Sequence, residues 1–436
     1  MAELDWLSSP TRTSLHGRVR VPGDKSISHR AIMLAALAEG HSRVSGFLEG
    51  KDTQATATIF EQLGVRIETP AWGERLVHGV GLHGLRAPDR SLDCGNAGTA
   101  MRLLTGLLAG QTFDSTLTGD GSLLQRPMHR VLEPLRQMGA GFDAQDGDLP
   151  PLHIHRRSHL NGCYVTPEIA SAQVKSAILL AGLYAQGSTE VCEMHPTRDY
   201  TERMLAAFGW PVEFSPGHAQ LSGGHVLRAT DIVVPADFSS AAFLLIAGSV
   251  IPGSELHLLD VGLNPRRTGL LQALRAMGAD IREGPTREQG GERVADLQVR
   301  HAPLQGVDIP EAWVTDMIDE FPALFVAAAL AQGRTRIQGA RELRVKESDR
   351  IAVMATGLRK LGVDIEERPD GACIEGGLIH GGEVDSHADH RCAMAFAVAG
   401  QVADDTVLIR DCSNVDTSFP RFVPLMRQAG FNLSHS

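Results

Sequence analysis

One short phrase recurs six times along this chain. A helical pattern ends, an apolar residue and a glycine follow, and an alternating pattern begins: Gln62-Leu63-Gly64-Val65, Gln137-Met138-Gly139-Ala140, Ala207-Phe208-Gly209-Trp210, Ala276-Met277-Gly278-Ala279, Lys360-Leu361-Gly362-Val363 and Gln428-Ala429-Gly430-Phe431. The glycines lie 75, 70, 69, 84 and 68 residues apart. Each reads as a helix stopped by a glycine just past its end and followed by a strand, as in Val65-Arg66-Ile67-Glu68. Upstream of each phrase runs a second helix, apolar on most of its surface: Ser28 to Glu39, Gly98 to Ala109, Ala172 to Ala185, Ser239 to Val250, Phe321 to Gln332 and His390 to Ala399. A unit therefore reads strand, buried helix, strand, surface helix, then one or two strands. Neighbouring units can pool their buried helices into a core.

At 436 residues the chain exceeds what one core usually fills, so six units divide as three and three. The Pro-containing stretches around Arg20 to Gly23 and Val234 to Asp237 are the expected crossings. The expectation is an α/β (α+β) protein of two similar domains, residues 21–237 and residues 1–20 plus 238–436. With 43% hydrophobic and 21% charged residues the chain has ample core material and is neither disordered nor collagenous.

The net charge of -11 argues against a nucleic-acid binder, whose affinity comes from many Lys and Arg on phosphates. Any anionic guest should be small. The longest apolar-and-small runs, Ala241 to Ile251 and Phe321 to Ala331, are too short to cross a bilayer. The start Met1-Ala2-Glu3-Leu4-Asp5-Trp6 is acidic with no apolar targeting segment, so a cytoplasmic location is expected. The six cysteines, at 94, 163, 192, 373, 392 and 412, are never closer than 19 residues, a spacing that suits neither a zinc clip nor a small disulfide scaffold.

Polar groups concentrate where the buried helices start: Asp24-Lys25-Ser26-Ile27-Ser28-His29-Arg30, Gly95-Asn96-Ala97-Gly98-Thr99-Ala100-Met101-Arg102, Ser171-Ala172-Gln173-Val174-Lys175, Asp237-Phe238-Ser239-Ser240, Asp316-Met317-Ile318-Asp319-Glu320 and Asp389-His390-Arg391. Taken singly, such Ser, Asp and Asn residues are ordinary N-caps, and Asp319 is placed to cap the helix from Phe321. Taken together, converging helix N-termini make a cradle for phosphate or carboxylate. Gly23-Asp24-Lys25-Ser26 lacks the glycine a nucleotide P-loop requires, and Gly95-Asn96-Ala97-Gly98-Thr99 lacks dinucleotide spacing. In Leu343-Arg344-Val345-Lys346-Glu347-Ser348-Asp349-Arg350 a helix begun near Ser348 would aim Lys346, Glu347 and Arg350 at one place. His153-x-His155 and His387-x-x-His390 have no supporting carboxylate or cysteine constellation, so no metal is expected.

Gly23-Asp24-Lys25-Ser26-Ile27-Ser28-His29-Arg30, Gly95-Asn96-Ala97-Gly98-Thr99-Ala100-Met101-Arg102, Ser171-Ala172-Gln173-Val174-Lys175, Arg344-Val345-Lys346-Glu347-Ser348-Asp349-Arg350 and Asp389-His390-Arg391 together resemble the 5-enolpyruvylshikimate-3-phosphate synthase family, over nearly the whole chain. The resemblance implies two domains of three βαβαββ units with the active site in the cleft between them. It implies transfer of the carboxyvinyl group of phosphoenolpyruvate to the 5-hydroxyl of shikimate 3-phosphate, through a tetrahedral ketal, with release of phosphate and no cofactor. This is a step of the shikimate pathway to chorismate and the aromatic amino acids.

By that resemblance Lys25, Ser26, Arg30, Ser171, Ala172, Gln173, Arg198, Asp319 and Lys346 hold shikimate 3-phosphate, and Lys25, Asn96, Gly98, Arg126, Gln173, Arg350 and Arg391 hold phosphoenolpyruvate. A base must take the hydroxyl proton and an acid must protonate the methylene carbon. Asp319 is the expected base, and Lys25 and Glu347 compete for the acid. The partners are these two small molecules, with no nucleic acid and no membrane, and a monomer is expected. Gly98 is the residue of members sensitive to glyphosate, which competes with phosphoenolpyruvate in this family.

Some members carry a lysine three residues before the proline of the C-terminal Phe-Pro; here it is Thr417. Pro196-Thr197-Arg198-Asp199-Tyr200-Thr201-Glu202 lacks the Asn and His of the subgroup that the Ser-Ala-Gln-x-Lys signature resembles. UDP-N-acetylglucosamine enolpyruvyl transferase shares the fold but lacks the Ser171 and Gln173 constellation, and Cys94 and Cys163 are not placed like its reactive loop cysteine. A nucleic-acid end-processing protein on the same repeat is disfavoured by charge, and a silent binding module by the intact Lys25, Asp319, Glu347 and Arg350.

Overall fold

The computed structural model describes residues 4–157 and 159–436; Met1, Ala2 and Glu3 of the acidic start lie outside the described residues. The chain forms two compact units of mixed α/β structure. One comprises Gly23–Pro235 with Glu288–Glu292, and the other the residues up to Pro22 with Ala236–Arg287 and Arg293–Ser436. Each has its own apolar core, running from Ile27 to Val234 in the first and from Trp6 to Leu433 in the second.

Six buried helices occupy these cores: Lys25–Leu37, Gly98–Ala109 and Ala172–Gly182 in the first unit, and Phe238–Val250, Phe321–Leu330 and His390–Gly400 in the second. Their starts and ends differ from the sequence reading by a few residues, largest at Lys25, where Asp24 rather than a later serine caps the helix by accepting from the Ile27 N–H at 2.9 Å. The helices are buried on all sides because they are almost free of charge beyond their first turns. Twelve of the thirteen residues of Phe238–Val250 are buried. Close packing demands small residues where helices meet: a Cβ on Gly106 would lie 2.0 Å from the Ala177 carbonyl oxygen.

The surface helices, such as His129–Gln137, bury one stripe only, here Val131, Leu132 and Leu135. All six repeat glycines adopt the left-handed conformation expected past a helix end, with φ of 90° at Gly64, 96° at Gly139, 79° at Gly209, 92° at Gly278, 86° at Gly362 and 108° at Gly430.

Each repeat builds a small sheet on a shared plan, and beside the third lies a separate parallel pair, Leu160–Asn161 with Ala185–Gln186. In the second repeat the order is Leu92–Asp93, Ser115–Thr118, Leu149–His155, Gly141–Gln145, the first pair parallel and the other two antiparallel. In the fifth the parallel edge shrinks to an isolated bridge between Asp308 and Arg336 beside three strands.

Two edge strands are exchanged. His16–Val19, which precedes the first buried helix, pairs with Glu255–Gly262 of the fourth repeat, and Ile232–Val233, which precedes the fourth, pairs with Glu39–Ser45 of the first. The sixth repeat runs out of chain after Leu433–His435, and its missing strand is Trp6–Ser8, inserted between Val407–Arg410 and Leu433–His435. Each unit is thereby closed upon itself, which is why the N-terminal residues belong with the C-terminal half.

Candidate active site

In the unit of residues 23–235 the first turns of the three buried helices adjoin. Arg30, on the second turn of Lys25–Leu37, donates from Nη2 to Ser176 Oγ at 2.8 Å, from Nε to Thr201 Oγ1 at 2.7 Å and from Nη1 to the Ser26 carbonyl at 2.9 Å. Gln173 links the other two helices, accepting from Arg102 Nη1 at 3.1 Å and donating to Thr99 Oγ1 at 2.8 Å. Neither Ala97 nor Ser171, the residues before the second and third helices, caps its helix with a side chain.

The hydrogen bonds of the buried Arg30 go to oxygens without charge, with Glu202 and Asp24 close enough to act on it. Burial, with Arg198 nearby, outweighs these carboxylates and pushes its pKa down to about 10, so it stays protonated at neutral pH. Lys25, at the mouth of its helix, is ion-paired with the buried Asp52. Arg126 packs over the loop before Gly98, donating to Asn96 Oδ1 at 2.9 Å, and Asn96 in turn donates to Asp120 Oδ2 at 2.7 Å. A Cβ on Gly98 would lie 2.8 Å from Arg102 Nη1 and 3.2 Å from Arg126 Nη1, so the two guanidinium groups close over the glycine.

Arg198 is carried by a loop that a buried network secures. Lys175 is paired with Glu193 at 3.0 Å and Glu202 at 2.8 Å, and Glu193 accepts from the Thr197 hydroxyl at 2.6 Å and its N–H at 3.2 Å. Burial works against the Lys175 charge, yet the two carboxylates outweigh it and hold the ammonium above its ordinary pKa. Lys175 thus supports the site without facing it.

In the second unit a ladder of alternating charge runs across the helix starts. Asp237 caps Phe238–Val250, accepting from the Ser240 N–H at 3.0 Å, and Asp389 caps His390–Gly400, accepting from the Arg391 N–H at 2.9 Å. Arg267 donates to Asp319 Oδ2 at 2.7 Å and also to Ser239, whose hydroxyl donates to Glu320. On the other side Arg350 lies with Nη1 3.6 Å from Asp319 Oδ1, while its Nε donates to Asp389 at 2.8 Å and its Nη2 to Glu347 at 2.6 Å.

Arg350 is 1% exposed, and among the described residues its Nη1 has no hydrogen-bond partner. Burial opposes its charge, but Asp389, Glu347 and Asp319 outweigh burial and raise its pKa. Arg391 Nη1 donates to the Asp319 carbonyl at 3.0 Å. Burial pushes the Glu320 carboxyl above the usual range, restrained by Arg267 and Arg391.

Two sequence expectations change here. The helix after the Lys346 segment begins at Arg350, not near Ser348: Asp349 caps it by accepting from the Ala352 N–H at 3.0 Å, and Ser348 turns to Asp389 at 3.1 Å. Lys346 and Glu347 therefore precede the helix, Lys346 in extended conformation after the turn Arg341–Val345. Nor does Asp319 cap Phe321–Leu330; the residue before that helix is Glu320, without a side-chain cap bond, and Asp319 is spent on arginines.

The sequence reading also missed Arg267, and it quoted Arg102 without giving it a role. Arg267 lies in Asn264-Pro265-Arg266-Arg267-Thr268, just before a surface helix, a place that reasoning centred on the buried helices did not weigh.

Two helix starts without side-chain caps, a buried arginine and carboxylates held among guanidinium groups define a class: a protein with a site for small, multiply charged anions. A family model described as EPSP synthase (3-phosphoshikimate 1-carboxyvinyltransferase) matches residues 10–426. The chain is 64% identical over 421 residues to a 3-phosphoshikimate 1-carboxyvinyltransferase of Xanthomonas euvesicatoria pv. vesicatoria (strain 85-10), covering 97% of this chain and 96% of that one. It is 63% identical over 422 residues to the enzyme of that name from Xanthomonas campestris pv. campestris (strain B100), with the same coverage. A solved structure of EPSP synthase from Acinetobacter baumannii superposes with a TM-score of 0.91 at 47% identity, covering 99% of this chain and all of the other. The chain belongs to the EPSP synthase family, and it is a carboxyvinyltransferase. Among the described residues no helix is long and apolar enough to cross a membrane.

Proposed function

We propose that the helix-start clusters of the two units serve one reaction, the transfer of the carboxyvinyl group of phosphoenolpyruvate to the 5-hydroxyl of shikimate 3-phosphate with release of phosphate. The observation that carries the residue roles is the Asp319 carboxylate, drawn between Arg267 at 2.7 Å and Arg350 at 3.6 Å. It is a fixed acceptor beside cations that can hold an anionic substrate.

In this reading Asp319 takes the hydroxyl proton as the oxygen attacks the carbon bearing phosphate, and the methylene carbon is protonated to give the tetrahedral ketal. Loss of phosphate and of a methyl proton then restores the double bond. Lys25, Ser26, Arg30, Ser171, Ala172, Gln173, Arg198 and Lys346 hold shikimate 3-phosphate with Asp319. Lys25, Asn96, Gly98, Arg126, Gln173, Arg350 and Arg391 hold phosphoenolpyruvate.

We assign the acid to Lys25, which is ion-paired with Asp52, ahead of Glu347, which accepts a hydrogen bond from Arg350. In this reading the enzyme acts in the cytoplasm as a monomer.

Phosphate release from phosphoenolpyruvate tests the substrate: shikimate 3-phosphate supports it and a UDP-sugar does not. Exchange of the phosphoenolpyruvate methylene protons with deuterated water tests the acid. Lys25→Met should abolish exchange and Glu347→Gln retain it; the reverse pattern would move the role to Glu347.

A further inference from the structure

The strand Ser188–Cys192 pairs antiparallel with His218–Ser222, and Cys192 stands directly opposite His218. Residues two apart on a strand share a face, and so do directly opposed residues, so Glu190, Cys192 and His218 point the same way. Thr189 and Val191 between them are buried against the core, which places the three on the outer face, half-buried. His218 Nε2 lies 3.1 Å from Glu190 Oε1, and Cys192 Sγ lies 3.8 Å from the same oxygen. All three potential donor atoms lie within 4.8 Å of one another.

In a tetrahedral zinc site with Zn–S of about 2.3 Å and Zn–N and Zn–O of about 2.0–2.2 Å, neighbouring ligand atoms are separated by roughly 3.3–3.6 Å. The two separations from Glu190, 3.1 and 3.8 Å, lie on either side of that value, and the third is within 4.8 Å, so an ion is admitted by small side-chain adjustments. We propose that Glu190, Cys192 and His218 form a three-ligand site for a divalent ion of the zinc class, its fourth position open to water.

A thiolate with an imidazole selects zinc, cobalt or cadmium over magnesium or calcium, which prefer all-oxygen shells. Binding displaces the thiol proton, because the ligand is the thiolate. The site is separate from the substrate clusters but adjoins their support: the residue after Cys192 is Glu193, which holds Lys175 and the loop bearing Arg198. No motif in the chain signals it, since Glu190 and Cys192 lie 28 and 26 residues before His218 and only the strand pairing brings them together. Without a metal the same atoms amount to an ordinary His–Glu pair with a neighbouring thiol.

Cobalt distinguishes the two. The full chain, stripped with a chelator, is titrated with Co²⁺ and then with Zn²⁺. The proposal expects one equivalent of cobalt with a thiolate-to-cobalt charge-transfer band that zinc displaces. Cys192→Ser should abolish the band. His218→Ala should weaken binding by more than about tenfold, the low end of what even outer-shell partners contribute. Cys163→Ser, which alters the other half-buried cysteine of this unit outside the cluster, should leave band and stoichiometry unchanged. Turnover of the metal-free variants with shikimate 3-phosphate and phosphoenolpyruvate confirms that they are folded. Absence of the band at stoichiometric cobalt, or its survival in Cys192→Ser, overturns the assignment.

Discussion

Replacing Arg267 by lysine keeps the charge and removes the fork. The guanidinium is 5% exposed and reaches two places at once: Nη1 to Asp319 Oδ2 at 2.7 Å, and Nη2 to Ser239, with Asp237 Oδ1 at 3.6 Å and Glu320 Oε1 at 3.7 Å from that same nitrogen. A lysine ammonium is a single point on a shorter reach and can serve one of these sites, not both. A hydrogen bond to a charged group is worth about 1.5–3 kcal/mol, so a misplaced Asp319 should cost roughly tenfold to a hundredfold in kcat. KM for phosphoenolpyruvate should change less, because the ligands proposed for that substrate are left in place.

Arg267→Met would instead strand three carboxylates around an apolar side chain and destabilise the fold by about 3–5 kcal/mol, which is why the lysine variant is the informative one. The assay is steady-state phosphate release, with urea unfolding as the control for folding. The double variant Arg267→Lys with Asp319→Asn decides the mechanism: if Arg267 acts by positioning Asp319, the double variant is no slower than Asp319→Asn alone. Wild-type kcat in Arg267→Lys, or losses that multiply in the double variant, would refute the reasoning.

Asp319→Ala should lower kcat by about 100- to 10,000-fold with a smaller rise in KM, and should also lower the urea midpoint, because the buried Arg267 and Arg350 lose a carboxylate partner; normal turnover per folded molecule would contradict the assignment of the base. Gly98→Ala places a methyl 2.8 Å from Arg102 Nη1 and 3.2 Å from Arg126 Nη1, so both guanidinium groups must shift; KM for phosphoenolpyruvate should rise, and Ki for glyphosate should rise by a larger factor, whereas equal factors would show that residue 98 does not select between them. Burial pushes the Glu49 carboxyl up, but Arg75 and the Gly73 N–H outweigh burial and leave it below the ordinary value of 4.5. Its contribution is therefore present above that value and lost as pH falls through the lower folded-state pKa, so the acid-induced drop in urea midpoint should be smaller in Glu49→Gln than in wild type.

Periodicity exposed whatever each repeat does for itself. The glycine that ends a surface helix is a local requirement, met identically at all six positions, and the unbroken apolar helices announced themselves by composition. The N-terminal residues were expected with the second half, but the strand pairings that close the units were invisible for the opposite reason. Trp6–Ser8 completes a sheet between strands some 400 residues away, and nothing in three residues of sequence states which neighbours they will join. The same limit hid the Glu190, Cys192 and His218 cluster, which exists only in the register of two strands.

The residue that was missed has its own logic, visible once the repeats are compared element by element. Buried helices supply capping carboxylates or bare N–H groups, while the turn before each surface helix supplies a charged side chain: Asp52 at the start of Lys51–Gln62, Arg126 before His129–Gln137, Arg198 before Tyr200–Ala207, Arg267 before Gly269–Ala276 and Arg350 opening Arg350–Lys360. In the sixth repeat Thr417 stands in that turn, hydrogen-bonded to the Asn414 carbonyl at 2.6 Å, and the residue before Phe422–Ala429 is Arg421 in left-handed conformation. The region where each surface helix begins thus carries a cation in four repeats, an anion in one and a hydroxyl in another, at positions that vary by several residues. A search that took the repeat as its unit, and compared the chain around each surface-helix start rather than motifs, would have singled out Arg267 alongside Arg126 and Arg198, because Arg267, like Arg198, stands two residues before its helix.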